Sequence, residues 1–418
     1  MFRVIFLFTL LAWQVPARAE LGMIGNIFVS YTGSDVVDDS FLNPGNRGAL
    51  VPDSQLVTEL RPEFIYQTES GLAFVLRSRH LGSYDETRLT APDEHRSRVE
   101  GHSDLSDAFL SWNVADTLST TIGLQNYQWG PAEIASPSNV FFHFNNEQRS
   151  YYYKEKGRML ARVNWTPRPD WSLILIAEPM DNRQMNWVYD REFKPQSAFK
   201  VEKQFENPAN SMALIAGNME GRSDYVGEHF NWSPVEGYSL YGDFRQQRDE
   251  THYKPMEALG GFVRLTDEEA ARGNWATLAV VGFRFEGRAD FRQEFIYNQS
   301  GYDKDQWKQV NRSVTELSPY LLQNLSAFSR PGLELRSRSY SCTSIRIPDL
   351  GPRDTISFSA RVLASLVQDS GAVQLNYEQN LNDEMVLSAE TTNFLGHKNT
   401  EFTLLKNHQY SLGLKYSF

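Results

Sequence analysis

The segment Tyr410 to Phe418 constrains this chain more than any other. Tyr410, Leu412, Leu414, Tyr416 and Phe418 are apolar, while Ser411, Gly413, Lys415 and Ser417 between them are polar or small. Strict period 2 over nine residues predicts a strand with one face in an apolar medium and the other in water. If the medium is lipid, neither edge of such a strand can stay unpaired, because nothing there can hydrogen-bond the free backbone groups. The arrangement that removes every edge is a closed barrel, with this strand paired to the first one, read here as Gly25 to Tyr31.

The other end of the sequence predicts export. Arg3 precedes an apolar run from Val4 to Trp13, followed by Pro16 and the small-residue pair Ala17 and Ala19. This is the layout of a signal peptide at residues 1–19, with cleavage before Glu20. As a membrane anchor the apolar run is too short, since ten helical residues rise only about 15 Å against a hydrocarbon core of about 30 Å. Residues 20–418 are then a single domain. The whole chain's mean hydropathy of −0.48 suits a water-soluble protein equally well, since a barrel alternates lipid-facing and lumen-facing residues and no window averages out as apolar.

Periodicity separates the two classes. Leu56, Thr58, Leu60, Pro62, Phe64 and Tyr66 form one face of a segment whose other face holds Glu59, Arg61 and Glu63. Comparable apolar faces run through Leu72–Leu76, Leu118–Leu124, Met159–Trp165, Trp275–Phe285 and Ile356–Leu366. Tight turns, such as 115–117, 167–170, 234–237, 287–290 and 381–383, alternate with long polar stretches at 82–104, 130–156, 249–274 and 300–332. Short turns on one side and long loops on the other are the habit of outer-membrane barrels, whose strand number is even. The expected fold is all-β, a transmembrane antiparallel up-and-down barrel of 18 strands, with 16 as the alternative. Alternation is poorest at 198–205 and 335–345. Many aromatic residues, which make up 13% of the chain, fall at expected strand ends: Tyr66, Trp112, Trp165, Trp171, Trp232, Tyr238, Trp275 and Tyr297. That is where interfacial girdles form.

Burying the apolar faces in lipid turns the opposite faces inward. These carry Arg61, Arg77, Arg79, Arg162, Arg245, Arg284, Arg292, Arg336, Arg338, Arg361 and Lys415, with Glu59, Glu63, Asp243, Glu294 and Glu334 among them. An arginine facing lipid would cost about 2 to 4 kcal/mol at the midplane, so this set belongs to the lumen. A basic wall favours anions; alternatively, Arg and Glu simply brace one another across the lumen.

No catalytic constellation emerges. His102, Ser103 and Asp104 are consecutive and cannot adopt triad geometry with one another, and they read as a polar loop. Asp38-Asp39 and Asp303-x-Asp305 lack the ligand spacing of a calcium loop. The single cysteine, Cys342, excludes an intrachain disulfide, and the net charge of −11 argues against a nucleic-acid partner. No enzymatic activity, metal or cofactor is expected.

The stretch Gly123-Leu124-Gln125-Asn126-Tyr127-Gln128-Trp129-Gly130-Pro131, with Ser136-Pro137-Ser138-Asn139 downstream, resembles the G-x-Q-x-x-x-W-G motif of alginate-export-like porins. It is also similar to the WGP segment of capsule-assembly barrels. The resemblance implies an 18-stranded Gram-negative outer-membrane porin handling acidic polysaccharide. The last strand, with its terminal aromatic Phe418, likewise resembles the signal read by the barrel-assembly machinery. Gly130 and Pro131 direct the chain out of the sheet, so Trp129, Gly130, Pro131 and Asn139 are candidates for a loop constricting the pore. The expected function is diffusion of small or oligomeric polar solutes, anionic by the basic wall, across a membrane of lipid and lipopolysaccharide. The alternative is a surface polysaccharide-binding or export barrel with an occluded lumen.

Overall fold

The computed structural model describes residues 19–90, 93–142, 157–180, 195–219, 223–248, 253–267, 275–316, 319–328, 335–351 and 353–418. The strands in chain order are β1 (Ala19–Val36), β2 (Ser54–Thr68), β3 (Leu72–Thr90), β4 (Asp93–Ala115), β5 (Leu118–Gln125), β6 (Arg158–Arg168) and β7 (Trp171–Glu178). There follow β8 (Gln196–Gln204), β9 (Ser211–Met219), β10 (Ser223–Val235), β11 (Tyr238–Arg248), β12 (Tyr253–Glu257), β13 (Val263–Asp267), β14 (Trp275–Glu286) and β15 (Asp290–Asn298). Two helices, α1 (Lys304–Thr315) and α2 (Leu321–Phe328), precede β16 (Ser339–Leu350), β17 (Ile356–Ser365), β18 (Ser370–Asn380), β19 (Met385–Leu395) and β20 (Lys406–Ser417).

All strands except β12 and β13 belong to one 18-stranded sheet, each antiparallel to its chain neighbours. The sheet closes where β1 pairs with β20 as well as with β2. At the seam the backbone N–H of Gly25 donates to Phe418 O and that of Phe418 to Gly25 O, both at 2.9 Å. The phase of the last strand is as expected: Leu412 is 55% and Phe418 54% exposed on the outer face, while Gly413 is buried. Gly25 has no side chain for a reason visible at the seam, since a Cβ there would lie 2.2 Å from Cζ of Phe418. The ring occupies the space that a side chain would fill.

An apolar belt runs round the outside. Ile27, Leu60, Ile122, Val163, Leu175, Leu214, Val281, Phe295 and Val362 all stand exposed on the outer face. Trp112, Trp165, Trp171, Trp232 and Tyr238 mark the edge near the tight turns, and Trp275 and Tyr297 mark the opposite edge. No helix among the described residues is long and apolar enough to cross a membrane; the strands do so.

The structure corrects several sequence-based boundaries. Residues 82–104, expected to be a loop, are largely strand, because β3 and β4 continue far beyond their neighbours. At about 3.3 Å per residue the 23 residues of β4 rise roughly 75 Å, whereas about ten residues cross a bilayer. On β4 both faces of the projecting part, 93–103, are exposed, so hydropathic alternation vanishes there, while β3 keeps Ser83 and Leu89 buried on one face. His102 to Asp104 therefore lie on a strand, with His102 Nε2 3.2 Å from Asp104 Oδ2. The stretch 249–274 contains the β12–β13 hairpin, and 300–332 contains α1 and α2. Asp303 caps α1 through its bonds to the N–H groups of Asp305 and Gln306. β16 begins at Ser339, which leaves Arg336 and Arg338 in the preceding loop. Glu334 and residues 1–18 lie outside the described residues.

Candidate functional site: a loop across the lumen

After β5 the chain leaves the sheet and enters the barrel. The inner faces of β6 to β10 are unexpectedly apolar there, presenting Leu160, Ile174, Ile176, Ala198, Ala213, Ile215 and Tyr225. Against them pack Trp129, Val140, Phe141 and Phe142 from the loop. Each such side chain removed from water is worth about 1.5 to 3 kcal/mol, so the loop is held to the wall by several anchors together.

The WGP segment forms the turn into the lumen. Gly130 has φ +93°, a backbone region that residues bearing a Cβ rarely adopt, and a Cβ there would lie 2.2 Å from Asp243 Oδ2. The Trp129 indole N–H donates to Ser138 Oγ at 3.2 Å, and the Ser138 N–H donates to Asp243 Oδ1 at 2.7 Å. Asn139 Oδ1 accepts from the N–H groups of Phe141 and Phe142. Pro131, half-buried, leads into the central crossing.

That crossing is fixed at its middle. Glu294 on β15 accepts the N–H of Glu133 at 2.6 Å, the N–H of Ile134 at 3.1 Å and the Tyr241 hydroxyl at 3.0 Å. The Glu133 carboxylate pairs with Arg361, accepts from Ser344 Oγ at 3.0 Å and lies 4.0 Å from Arg292. Ala132 and Ile134 pack over Tyr241, Val280, Ile296, Tyr340 and Cys342. The loop therefore spans from the β6–β10 wall to the β15–β17 wall, and Trp129, Gly130 and Asn139 are structural members of it.

A cavity of about 1000 Å³ lies between Ile134 of the loop and the wall formed by β17 to β20 and β1 to β4. Its acids are Glu59, Asp85, Glu100, Asp104, Glu378, Glu390 and Glu401, and its bases are Arg79, Arg336, Arg361 and Lys406.

The expected arginines that lie on strands face inward, but most are braced by acids. Glu59 binds both Arg61, at 2.6 Å, and Arg79. Arg77 binds Glu63 at 2.7 Å and Asp107 at 3.3 Å. Arg284 binds Asp290 at 2.7 Å and also reaches Glu286, while Arg292 lies 3.5 Å from Asp290. Arg338 pairs with Asp303 at 3.4 Å outside the sheet. Arg245 and Asp243 are buried behind the loop. Lys415 faces inward beside Phe28 of β1. The net basic excess counted from sequence is thus offset by acids not counted there: Asp107, Asp290, Glu133, Glu178, Glu378 and Glu390. Asp290 falls in an expected tight turn, the strands of Asp107, Glu178, Glu378 and Glu390 had no assigned lumen face, and Glu133 lies on a loop whose entry into the lumen had to be seen. Among the described residues no group of three or more His, Cys, Asp or Glu is placed to hold a metal.

Comparison with solved structures gives the class. The chain is similar to OccK5 (OpdH) of Pseudomonas aeruginosa, with 10% identity, TM-score 0.54, and coverage of 96% of this chain and 98% of that one. It is similar to OccK1 (OpdK) of the same organism at 11% identity, TM-score 0.55, covering 96% and 98%. It is also similar to Acinetobacter baumannii OccAB1 at 8% identity, TM-score 0.54, covering 96% of each chain. At these identities the likeness is one of fold. No protein-family profile matches the sequence, and no curated protein matches it. The alginate-export and capsule-assembly resemblance of the WGP segment finds no support in these comparisons. The closed 18-stranded barrel with its lipid-facing belt is that of an outer-membrane protein, and the outer membrane is where this chain resides.

Proposed function

We propose that the barrel is a passive channel for small polar solutes, which cross through the cavity beside the inserted loop. The observation that carries this reading is the loop itself. It packs against one wall through apolar and hydrogen-bonded contacts and leaves against the other wall a cavity whose lining mixes apolar side chains with acids and bases. Selectivity then comes from the lining side chains, as in other pores. Arg79, Arg336 and Arg361 supply donors that suit carboxylates, and the neighbouring acids keep the net field small. The preference for carboxylate-bearing solutes is therefore expressed in contact with these arginines and only weakly in bulk ion selectivity.

Planar-bilayer recording of the refolded protein tests this. The expected result is discrete ohmic steps in potassium chloride, a reversal potential near zero, and concentration-dependent slowing of the current by small carboxylates. Absence of steps would instead support an occluded surface-binding barrel, and strong cation selectivity would overturn the carboxylate reading.

A further inference from the structure

The apolar belt is broken on β10. Its outward set Val226, Glu228, Phe230 and Trp232 places a carboxyl among apolar neighbours, with Leu214 of β9 and Phe244 of β11 on either side. Glu228 is exposed, and its carboxyl has no hydrogen-bond or ion-pair partner among the described residues. It stands four residues from Trp232 of the periplasmic girdle, a rise of about 10 Å at a strand tilt of about 40°. That is well inside a belt about 25 Å tall. A carboxyl bare in hydrocarbon is costly in either protonation state unless another group hydrogen-bonds it.

A second break lies on β15 and β16. Gln293 and its cross-strand partner Thr343 face outward between Phe283 and Val362, and Ser341 is the next outward residue of β16. Thr343 Oγ1 donates to Gln293 Oε1 at 2.5 Å, and Gln293 Nε2 donates to Ser341 Oγ at 2.9 Å. The run of bonds ends on Ser341, whose own O–H has no acceptor among the described residues. One patch offers an acceptor and the other a donor.

Their placement decides how the two can meet. Round the closed sheet the order is β10, β11, β14, β15, so Gln293 is three strands from Glu228 in a barrel of 18. That is one sixth of the circumference, or about 60°. In a ring of three equal cylinders the centres form an equilateral triangle, so the two contact lines on each cylinder lie about 60° apart. A twofold pair has a single contact line, and a ring of four needs about 90°.

Rotation about the membrane normal preserves depth, so the two patches must also lie level. The register row through Glu228 runs to Phe244, Ala279 and Tyr297. Such rows climb toward the cell surface in this direction. The row that starts at Tyr238, beside the β10–β11 turn, reaches Ala360, four residues above Ile356 at the start of β17. With strands about 4.8 Å apart and tilted about 40°, a level line falls about 12 Å below its row over three strands, or roughly four residues. Four residues below Tyr297, toward the periplasmic turn, is Gln293.

We infer that the outer wall from β10 to β16 is the head-to-tail interface of a homotrimer, in which Glu228 of one copy accepts hydrogen bonds from the Gln293–Ser341 pair of the next. Polar side chains that bond across an apolar interface hold membrane helices together in the same way. The interface lies outside the barrel and does not depend on whether the lumen conducts.

Disulfide trapping in the outer membranes of cells producing the full chain tests this, with Cys342→Ser removing the native thiol. Glu228→Cys and Ser341→Cys are made singly and together, and mildly oxidised membranes are run on a non-reducing denaturing gel. Within one barrel the two positions are four strands apart, about 19 Å at about 4.8 Å per strand. An internal bridge, which needs Cα atoms within about 7 Å, cannot form. The expected result is bands of two and three chains in the double variant and a single-chain band in each single variant. A single-chain band in a double variant whose heat-modifiable mobility shows it folded would overturn the trimer. A two-chain band in Glu228→Cys alone would overturn it in favour of a twofold contact. Should the cysteine variants not fold, native mass spectrometry of the protein extracted in mild detergent decides. Three copies in the wild type and one in Glu228→Leu, which suits lipid better and keeps the barrel, uphold the inference; any other result overturns it.

Discussion

Replacing Glu294 by Gln should loosen the middle of the inserted loop while leaving the barrel intact. Oε1 accepts from Glu133 N–H and the Tyr241 hydroxyl, and Oε2 accepts from Ile134 N–H. An amide can keep its oxygen toward the first pair, but its NH2 then faces the Ile134 N–H, donor against donor. The loss of a charge-assisted bond costs about 1.5 to 3 kcal/mol, and the buried N–H left without an acceptor about 1 to 3 kcal/mol more. Taken together, roughly 3 to 5 kcal/mol favours lifting the crossing, or two to four powers of ten in its opening equilibrium. The chain carries its own reporter. Cys342 pairs across the sheet with Glu294 and is covered by Ala132 and Ile134. Labelling of the folded barrel with a small maleimide should be slow in the wild type and at least 30-fold faster in Glu294→Gln. Heat-modifiable gel mobility would confirm that both remain folded. Unchanged labelling in the variant, or wild-type labelling as fast as in the denatured chain, would refute the idea that Glu294 pins the loop over this wall.

Three further outcomes follow from the same structure. Gly130→Ala meets both a φ of +93° and a contact of 2.2 Å with Asp243, so it should displace the turn; limited proteolysis should cut between residues 126 and 142 at least tenfold faster than in the wild type. Gly25→Leu puts a side chain where the Phe418 ring lies and should slow closure of the seam, read as a reduced yield of heat-modifiable barrel in a refolding time course. Glu401, in the loop between β19 and β20, has its carboxyl raised above the ordinary value because burial disfavours the charged form. Its folded state therefore holds a proton in a window above the unfolded value where the unfolded chain has lost it, so stability falls as pH rises through that window. Thermal unfolding in detergent should show a higher midpoint at pH 5 than at pH 7 in the wild type, and a flatter dependence in Glu401→Gln. Identical slopes would count against this.

The fold was legible wherever one face of a strand meets lipid. β2, β14, β17 and β20 each showed their phase in sequence, and the tight turns followed, because lipid tolerates no polar interruption on the facing side. The projecting half of β4 was hidden because water on both of its faces removes the contrast on which the period depends. The site was half legible. Trp129, Gly130, Pro131 and Asn139 marked the place where the chain leaves the sheet, although not the wall it would reach. A further signal was present. Leu160, Ile174, Ile176, Ala213 and Ile215 sit on faces that their neighbours assign to the lumen, and apolar residues pointing into a water-filled pore imply something dry to cover them. Pairing of the arginines was the least legible, since it depends on Glu133 and Asp107, whose positions follow only from the folded loop and from the register of β4.

The tall hairpin leaves its own problem at the cell surface. Among the described residues β4 is bonded to β3 only from Asp93 to Leu105, while its pairing with β5 begins at Ala108. An exposed strand edge of that length is a template on which other chains add themselves. Glu94, Arg96, Arg98 and Glu100 are all exposed along it, and a guest strand would have to match charges of both signs to settle there. Exchanging these four for Thr and Val would turn a self-insulating mast into a seed for clumping, visible as sedimentation of cells that carry it.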